Sequence, residues 1–197
     1  MMTMGGFIRD IAGDDYRRLY AAWVDAEGRT PRRGLLISGA FGCGKTLAAR
    51  SLYPRARIVN CAVRKEVERL RDGDSHWSEM HDLYEEGLKP FAVTMLDDMG
   101  ADAPTNDYGE TVDAVGEFII RAHKDKGREM RDDYRSMNIA CDRLVITTNL
   151  ITDSEPPKNA TDREKALYLS YRYGGRVASR LKEMCVFVEM KGADKRR

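Results

Sequence analysis

The stretch Gly34-Leu35-Leu36-Ile37-Ser38-Gly39-Ala40-Phe41-Gly42-Cys43-Gly44-Lys45-Thr46 decides the fold. Its first five residues read as a buried strand, and from Gly39 onward it fits G-x-x-x-x-G-K-[ST] at every fixed position. Glycines there let backbone N–H groups turn inward around phosphate oxygens, and the helix that follows adds its positive end. Lys45 is placed to reach the β- and γ-phosphates of a nucleotide, and the Thr46 hydroxyl to ligate Mg2+. A random chain of this length matches the pattern in under about 1% of cases at average residue frequencies. The expected nucleotide contacts are Gly39, Ala40, Phe41, Gly42, Cys43, Gly44, Lys45, Thr46 and Leu47. Cys43 occupies a variable position and reads as a small filler.

Outward from this loop, strands and helices alternate. Asp14-Asp15 is expected to cap a helix through Tyr16, Leu19, Tyr20 and Trp23, ending near Gly28 before Pro31. Leu47 to Leu52 continues the loop as a helix. Arg57 to Cys61 reads as a second strand, and residues 63–86 as two helical pieces broken around Asp72-Gly73-Asp74. Phe91 to Leu96 is a third strand, and Asp107 to Lys126 has helical spacing through Val112, Val115, Phe118 and Ile119. Leu144 to Thr148 is a fourth strand, Thr161 to Leu181 a helix broken at Gly174-Gly175, and Val186 to Val188 a fifth strand. This alternation predicts an α/β fold with a five-stranded parallel sheet sandwiched by helices. The expected division is an N-terminal arm with a linker helix (1–33), a core (34–190) and a tail (191–197).

The third strand ends in Asp97-Asp98. An apolar strand delivering an acid to its C-terminal end is what a Mg2+-nucleotide needs opposite a phosphate loop. Asp97 is the expected metal ligand, and Asp98 the group that polarises an attacking water. A parallel neighbour would place Asn149, at the end of the fourth strand, near the γ-phosphate, where it could orient that water.

Composition sets outer limits. The chain has 197 residues, the prior for one domain. Its 33 basic and 32 acidic residues leave a net charge of +1, which excludes an overall cationic field as the means of holding nucleic acid. Local patches would have to do that work. No apolar run is long enough to span a bilayer, and the first ten residues lack a signal peptide's apolar stretch. Four cysteines without a C-x-x-C pair, and three histidines without an i, i+4 pair, point to reduced thiols and a cytoplasmic protein with no zinc site.

The motifs, in this order, resemble those of AAA+ ATPases, and within them the DnaC/IstB-like helicase loaders and transposition helpers. The resemblance spans residues 30–192. It is carried by Gly39–Thr46, by Leu96-Asp97-Asp98-Met99-Gly100, by Ile146-Thr147-Thr148-Asn149-Leu150, and by Tyr173-Gly174-Gly175-Arg176-Val177-Ala178-Ser179-Arg180-Leu181. It implies a P-loop NTPase core, ATP and Mg2+ as cofactors, and Asn149 as the residue that senses the γ-phosphate. It further implies that Arg180 is the arginine finger reaching a neighbouring subunit's nucleotide, with Arg176 a second contact in trans. The segment Cys61–Arg71 corresponds to the family's helical insert for single-stranded DNA, where Lys65, Arg69 and Arg71 would meet phosphates; interleaved Glu66 and Glu68 fit an ordinary salt-bridged surface equally well. Arg121, Lys124, Lys126, Arg128, Arg131, Tyr134 and Arg135 form a second basic stretch diluted by acids. Two features depart from the family pattern: the residues before the first strand are too few for its N-terminal domain, and no C-terminal helical lid is expected.

The resulting expectation is an ATP-binding and ATP-hydrolysing switch in DNA replication or transposition, weakly active until assembled. Its partners would be further copies of itself, single-stranded DNA and a replication or transposition protein, with no membrane. A small P-loop nucleotide or metabolite kinase is one rival, with residues 121–143 as its lid. A non-catalytic, ATP-gated adaptor is the other.

Overall fold

β-Branched and leucine-rich runs bounded by glycine, proline or acidic residues become strands buried on both faces, which is the pattern a parallel sheet between helices demands. The computed structural model describes residues 14–29, 33–71, 93–102, 105–107, 110–125 and 143–192. In chain order these form α1 (Asp15–Gly28), β1 (Gly34–Gly39), α2 (Lys45–Leu52), β2 (Arg57–Asn60), α3 (Arg64–Arg71), β3 (Val93–Met99), β4 (Thr105–Asp107), β5 (Glu110–Val112), α4 (Ala114–Asp125), β6 (Arg143–Thr148), α5 (Asp162–Lys165), α6 (Leu169–Met184) and β7 (Cys185–Met190). Five strands make one parallel sheet in the order β2-β3-β6-β1-β7, as expected for the α/β class.

Alternation along each strand feeds two cores. Leu35, Ile37, Met95 and Val145 pack with Leu19 of α1 and with Ala48, Ala49 and Leu52 of α2. Leu36, Leu96, Leu144 and Ile146 pack on the other face, beneath Val67 of α3, Val115 and Ile119 of α4, and Val177 and Leu181 of α6. Each fully buried leucine or isoleucine contributes about 2 kcal/mol relative to exposure. Among the described residues no helix is long and apolar enough to cross a membrane.

β3 breaks its alternation where the chemistry begins. Leu96 and Met99 both lie in the core beneath α3, α4 and α6, although residues three apart on a regular strand face opposite ways. The ladder with β6 shifts register between Leu96 and Met99, and Asp98 has φ +56°. A bulge thus turns Met99 into the core and re-aims Asp98.

Three local expectations change. The helix read from Asp107 starts at Ala114; residues 105–107 and 110–112 pair antiparallel instead, Asn106 opposite Thr111. β-Branched Thr105, Thr111 and Val112 favour extended backbone, and Asp113 Oδ1 then accepts the Gly116 N–H at 3.0 Å to start α4. Neither Asp14 nor Asp15 caps α1 in the way read from sequence: Asp14 makes no capping bond, and buried Asp15 accepts the N–H of Gly192 at 2.8 Å and pairs with Arg18. The long helix from Thr161 divides into α5, opened by a Thr161–Glu164 capping box, and α6, whose break falls at Gly174 as expected. The second helical piece towards residue 86, Phe91, the basic residues Lys126, Arg128, Arg131 and Arg135, and Tyr134 lie outside the described residues.

Candidate functional site

The loop after β1 is shaped by close approach. A Cβ on Gly39 would stand 2.3 Å from the carbonyl oxygen of Met190, so only glycine lets β7 pass there. Gly44, at the head of α2, has φ +98°, a left-handed conformation that turns the loop back over the strand ends. Phe41 and Leu47 are exposed, while Cys43 is fully buried in the core under α1 and α2, consistent with a filler.

Lys45 is buried, and its ammonium finds oxygen on both sides of the loop. Nζ donates to the carbonyls of Gly39 (3.0 Å) and Ala40 (2.8 Å) and to Asn149 Oδ1 (2.7 Å). Three oxygens thus satisfy the polar head of a buried side chain. Sheet order explains Asn149: β6 lies beside β1, with Ser38 opposite Thr148, so the residue after β6 arrives beside the loop.

Asp97, only 5% exposed, is the second centre. Its Oδ1 accepts the hydroxyls of Thr46 (2.8 Å) and Thr147 (2.6 Å), and Oδ2 stands 3.9 Å from the Arg50 guanidinium. Thr147 Oγ1 also accepts the backbone N–H of Asp98 at 2.9 Å, pinning the bulge that aims the half-buried Asp98 side chain. Thr147 was not singled out by sequence reasoning; a threonine inside an apolar strand looks like an ordinary β-branched filler. Cys61 approaches the same cluster through its N–H, which donates to the Asp97 carbonyl at 2.8 Å. Burial, followed by the charges of Asp102, Asp97 and Asp98, pushes its thiol pKa up, so the sulfur stays protonated.

The Thr46 hydroxyl and the Asp97 carboxylate are adjacent hard oxygen donors beside a phosphate loop. That set fits Mg2+, which prefers one or two protein oxygens and completes its octahedron with water and phosphate. A cavity of about 470 Å3 opens on the other side of the loop, lined in part by Gly39, Ala40, Phe41, Asn149, Asp153 and Glu189, and not by Thr46 or Asp97.

The remaining expected residues lie apart. Arg176 is exposed on the segment of α6 after Gly174, and Arg180, one turn on, bonds Glu183 through NH1 at 3.0 and 3.3 Å. Glu183 also pairs with His123 of α4 at 2.7 Å; these two contacts, His123 foremost, hold its carboxyl below the usual range. Lys65 is exposed on α3, where Arg64 pairs with Glu68 at 2.7 Å and Glu66 accepts the Asn60 N–H at 2.6 Å. The side chains of Arg69 and Arg71 fall outside the described residues.

No protein-family model matches the sequence, and no curated protein is similar enough to it to count as a relative. Among solved structures, the chain is similar to the DnaC helicase loader at 22% identity, covering 89% of each chain with a TM-score of 0.42. It is similar to DnaI at 19% identity, covering 93% of this chain and 83% of that one with a TM-score of 0.46. Domain III of the Thermotoga maritima replication initiation protein DnaA matches at 17% identity, over 92% and 64% of the two chains, with a TM-score of 0.44.

Proposed function

We propose that this chain is a Mg2+-dependent ATP-binding and ATP-hydrolysing switch of the AAA+ kind, acting in DNA replication or transposition and most active when assembled from several copies. One observation carries the reading: Lys45 bonded to Asn149, and Thr46 bonded to Asp97, converge at the C-terminal ends of three adjacent strands. Mg2+ would neutralise phosphate charge between Thr46 and Asp97. Lys45 would exchange its carbonyl acceptors for phosphate oxygens. Asp98 would take a proton from the attacking water, and Asn149 would hold that water in line. Arg180, with Arg176 beside it, would complete the site of a neighbouring copy, where a guanidinium can lower the barrier by several kcal/mol, about 10³-fold or more. Exposed Lys65, with Arg69 and Arg71 on the same helix, supports a contact to single-stranded DNA phosphates.

The test is nucleotide binding and phosphate release by the full chain. Lys45→Ala should lose ATP binding, and the wild type should release free phosphate with Mg2+ and no added acceptor, faster with single-stranded DNA. Undiminished affinity in Lys45→Ala would end the proposal. Phosphate appearing only on an added small-molecule acceptor would replace it with a kinase.

A further inference from the structure

We propose that Asp102 is a positioning residue that clamps the start of α6 to the loop after Asp98 and thereby sets where Arg176 and Arg180 stand. The inference rests on the ATPase reading and deepens it, by naming what joins the two halves of the site within one chain.

Asp102 lies four residues beyond Asp98, and its side chain is only 3% exposed. Its Oδ1 accepts the Gly100 N–H at 3.1 Å and the hydroxyl of Tyr173. Arg172 NH2 donates to Oδ2 at 3.1 Å and to the Asp102 carbonyl at 2.5 Å. The same guanidinium lies 4.8 Å from the centre of the Tyr173 ring, so carboxylate, cation and phenol form one stacked unit. Burial, then the Asp102 charge and its hydrogen bond, pushes the Tyr173 pKa up, which keeps the phenol a constant donor.

The clamp reaches the chemistry on one side through Gly100, whose φ of +104° packs it against Leu150, the residue after Asn149; a Cβ there would lie 2.9 Å from Leu150 Cγ. On the other side it ends at Gly174, where φ +81° and ψ 155° interrupt α6. The helix resumes with Arg176 in its first turn and Arg180 one turn later. Residues 172 and 173 fix where the chain enters that break, and Val177 and Leu181 then seat the second segment on the core. A well-packed apolar contact could stabilise α6 as well as a buried ion pair does, but it would not fix the guanidinium and the phenol at defined angles.

The experiment compares wild type, Asp102→Asn, Arg180→Ala and the double variant, using full chains at a concentration where wild-type turnover per chain has reached its plateau. Asp102→Asn should leave KM for ATP within about twofold and lower kcat about tenfold, in the range of ordinary coupling between sites. The double variant should lose less than the product of the two single losses, because the clamp acts through Arg180, with only the share carried by Arg176 remaining. Hydrogen exchange at residues 174–180 should quicken in Asp102→Asn without nucleotide. If Asp102→Asn does not fold, Tyr173→Phe removes one bond of the clamp and should show the same pattern with a smaller loss. Multiplying losses in the double variant, or a wild-type kcat in Asp102→Asn, overturns the clamp while leaving the ATPase reading intact. A wild-type chain that releases no phosphate removes the ATPase reading and the clamp's role with it.

Discussion

Thr147 is where a single atom should separate the chemistry of the site from its packing. Its side chain is fully buried, and its hydroxyl donates to Asp97 Oδ1 at 2.6 Å while accepting the Asp98 N–H at 2.9 Å. Thr147→Val keeps the shape and deletes both bonds. The lost bond to a carboxylate costs about 2 kcal/mol, and the orphaned amide about 1 kcal/mol more. The extra buried methyl returns about 1 kcal/mol, leaving a net loss of about 2 kcal/mol. Thr147→Ser keeps the hydroxyl and loses a methyl, at about 1 kcal/mol. Stability alone would barely separate the two, so the decisive assay is phosphate release against Mg2+ concentration. Thr147→Val frees Asp97 to drift from Thr46 and releases the backbone at Asp98, whose φ of +56° needs outside support. Its Mg2+ requirement should rise and its kcat fall at least tenfold, while Thr147→Ser stays near wild type. A Thr147→Val enzyme with normal Mg2+ dependence, or a Thr147→Ser enzyme that is the worse of the two, refutes the reasoning.

Arg180→Ala should spare ATP binding and cut turnover in the assembled state by about 10³-fold, read as phosphate release against chain concentration. Gly39→Ala drives a Cβ to 2.3 Å from the Met190 carbonyl, between two backbones that cannot yield, and should leave no soluble folded chain by circular dichroism. Asp113→Asn should raise the melting temperature near neutral pH. Burial raises the Asp113 pKa above 3.8, so its favourable contribution is complete below 3.8 and lost as pH rises through the raised value. The amide retains an oxygen to cap Gly116 and carries no charge to desolvate, so the gain should vanish at about pH 3.

What was legible in the sequence was what spacing alone enforces. Gly39, Gly44, Lys45 and Thr46 are read from fixed intervals because one tight turn must join a strand to a helix, and the strands are read because burial on both faces leaves unbroken apolar runs. Asp97 follows from its place at the end of such a run. Thr147 and the bulge at Asp98 were illegible because their meaning is a partner about 50 residues away, and no local pattern distinguishes a bulged strand from a straight one. The same holds for Asp102 and Tyr173, which are 71 residues apart. The pairing of 105–107 with 110–112 was hidden by Val112, whose position suits a helical period as well as a strand. Asp15 looked like a cap because acids usually are one at a helix start; its partner is the backbone of Gly192, near the far end of the chain.

The order of the strands explains why these distant partners gather where they do. Neighbouring strands lie about 4.8 Å apart, so placing β6 between β1 and β3 sets the ends of those two strands about 10 Å apart. The helix α2 spans that gap from above and brings Thr46 back to within 2.8 Å of Asp97. β6 closes it from below. Thr147 and Asn149, two residues apart, turn to the same face as α2, one touching Asp97 and the other Lys45. Thr148, on the opposite face, bonds the Met99 carbonyl at 2.6 Å and the Leu150 N–H at 3.1 Å, which fixes the height of that pair against β3. Lys45, through Asn149, and Asp97, through Thr147, are thus tied to one strand and the residue that follows it.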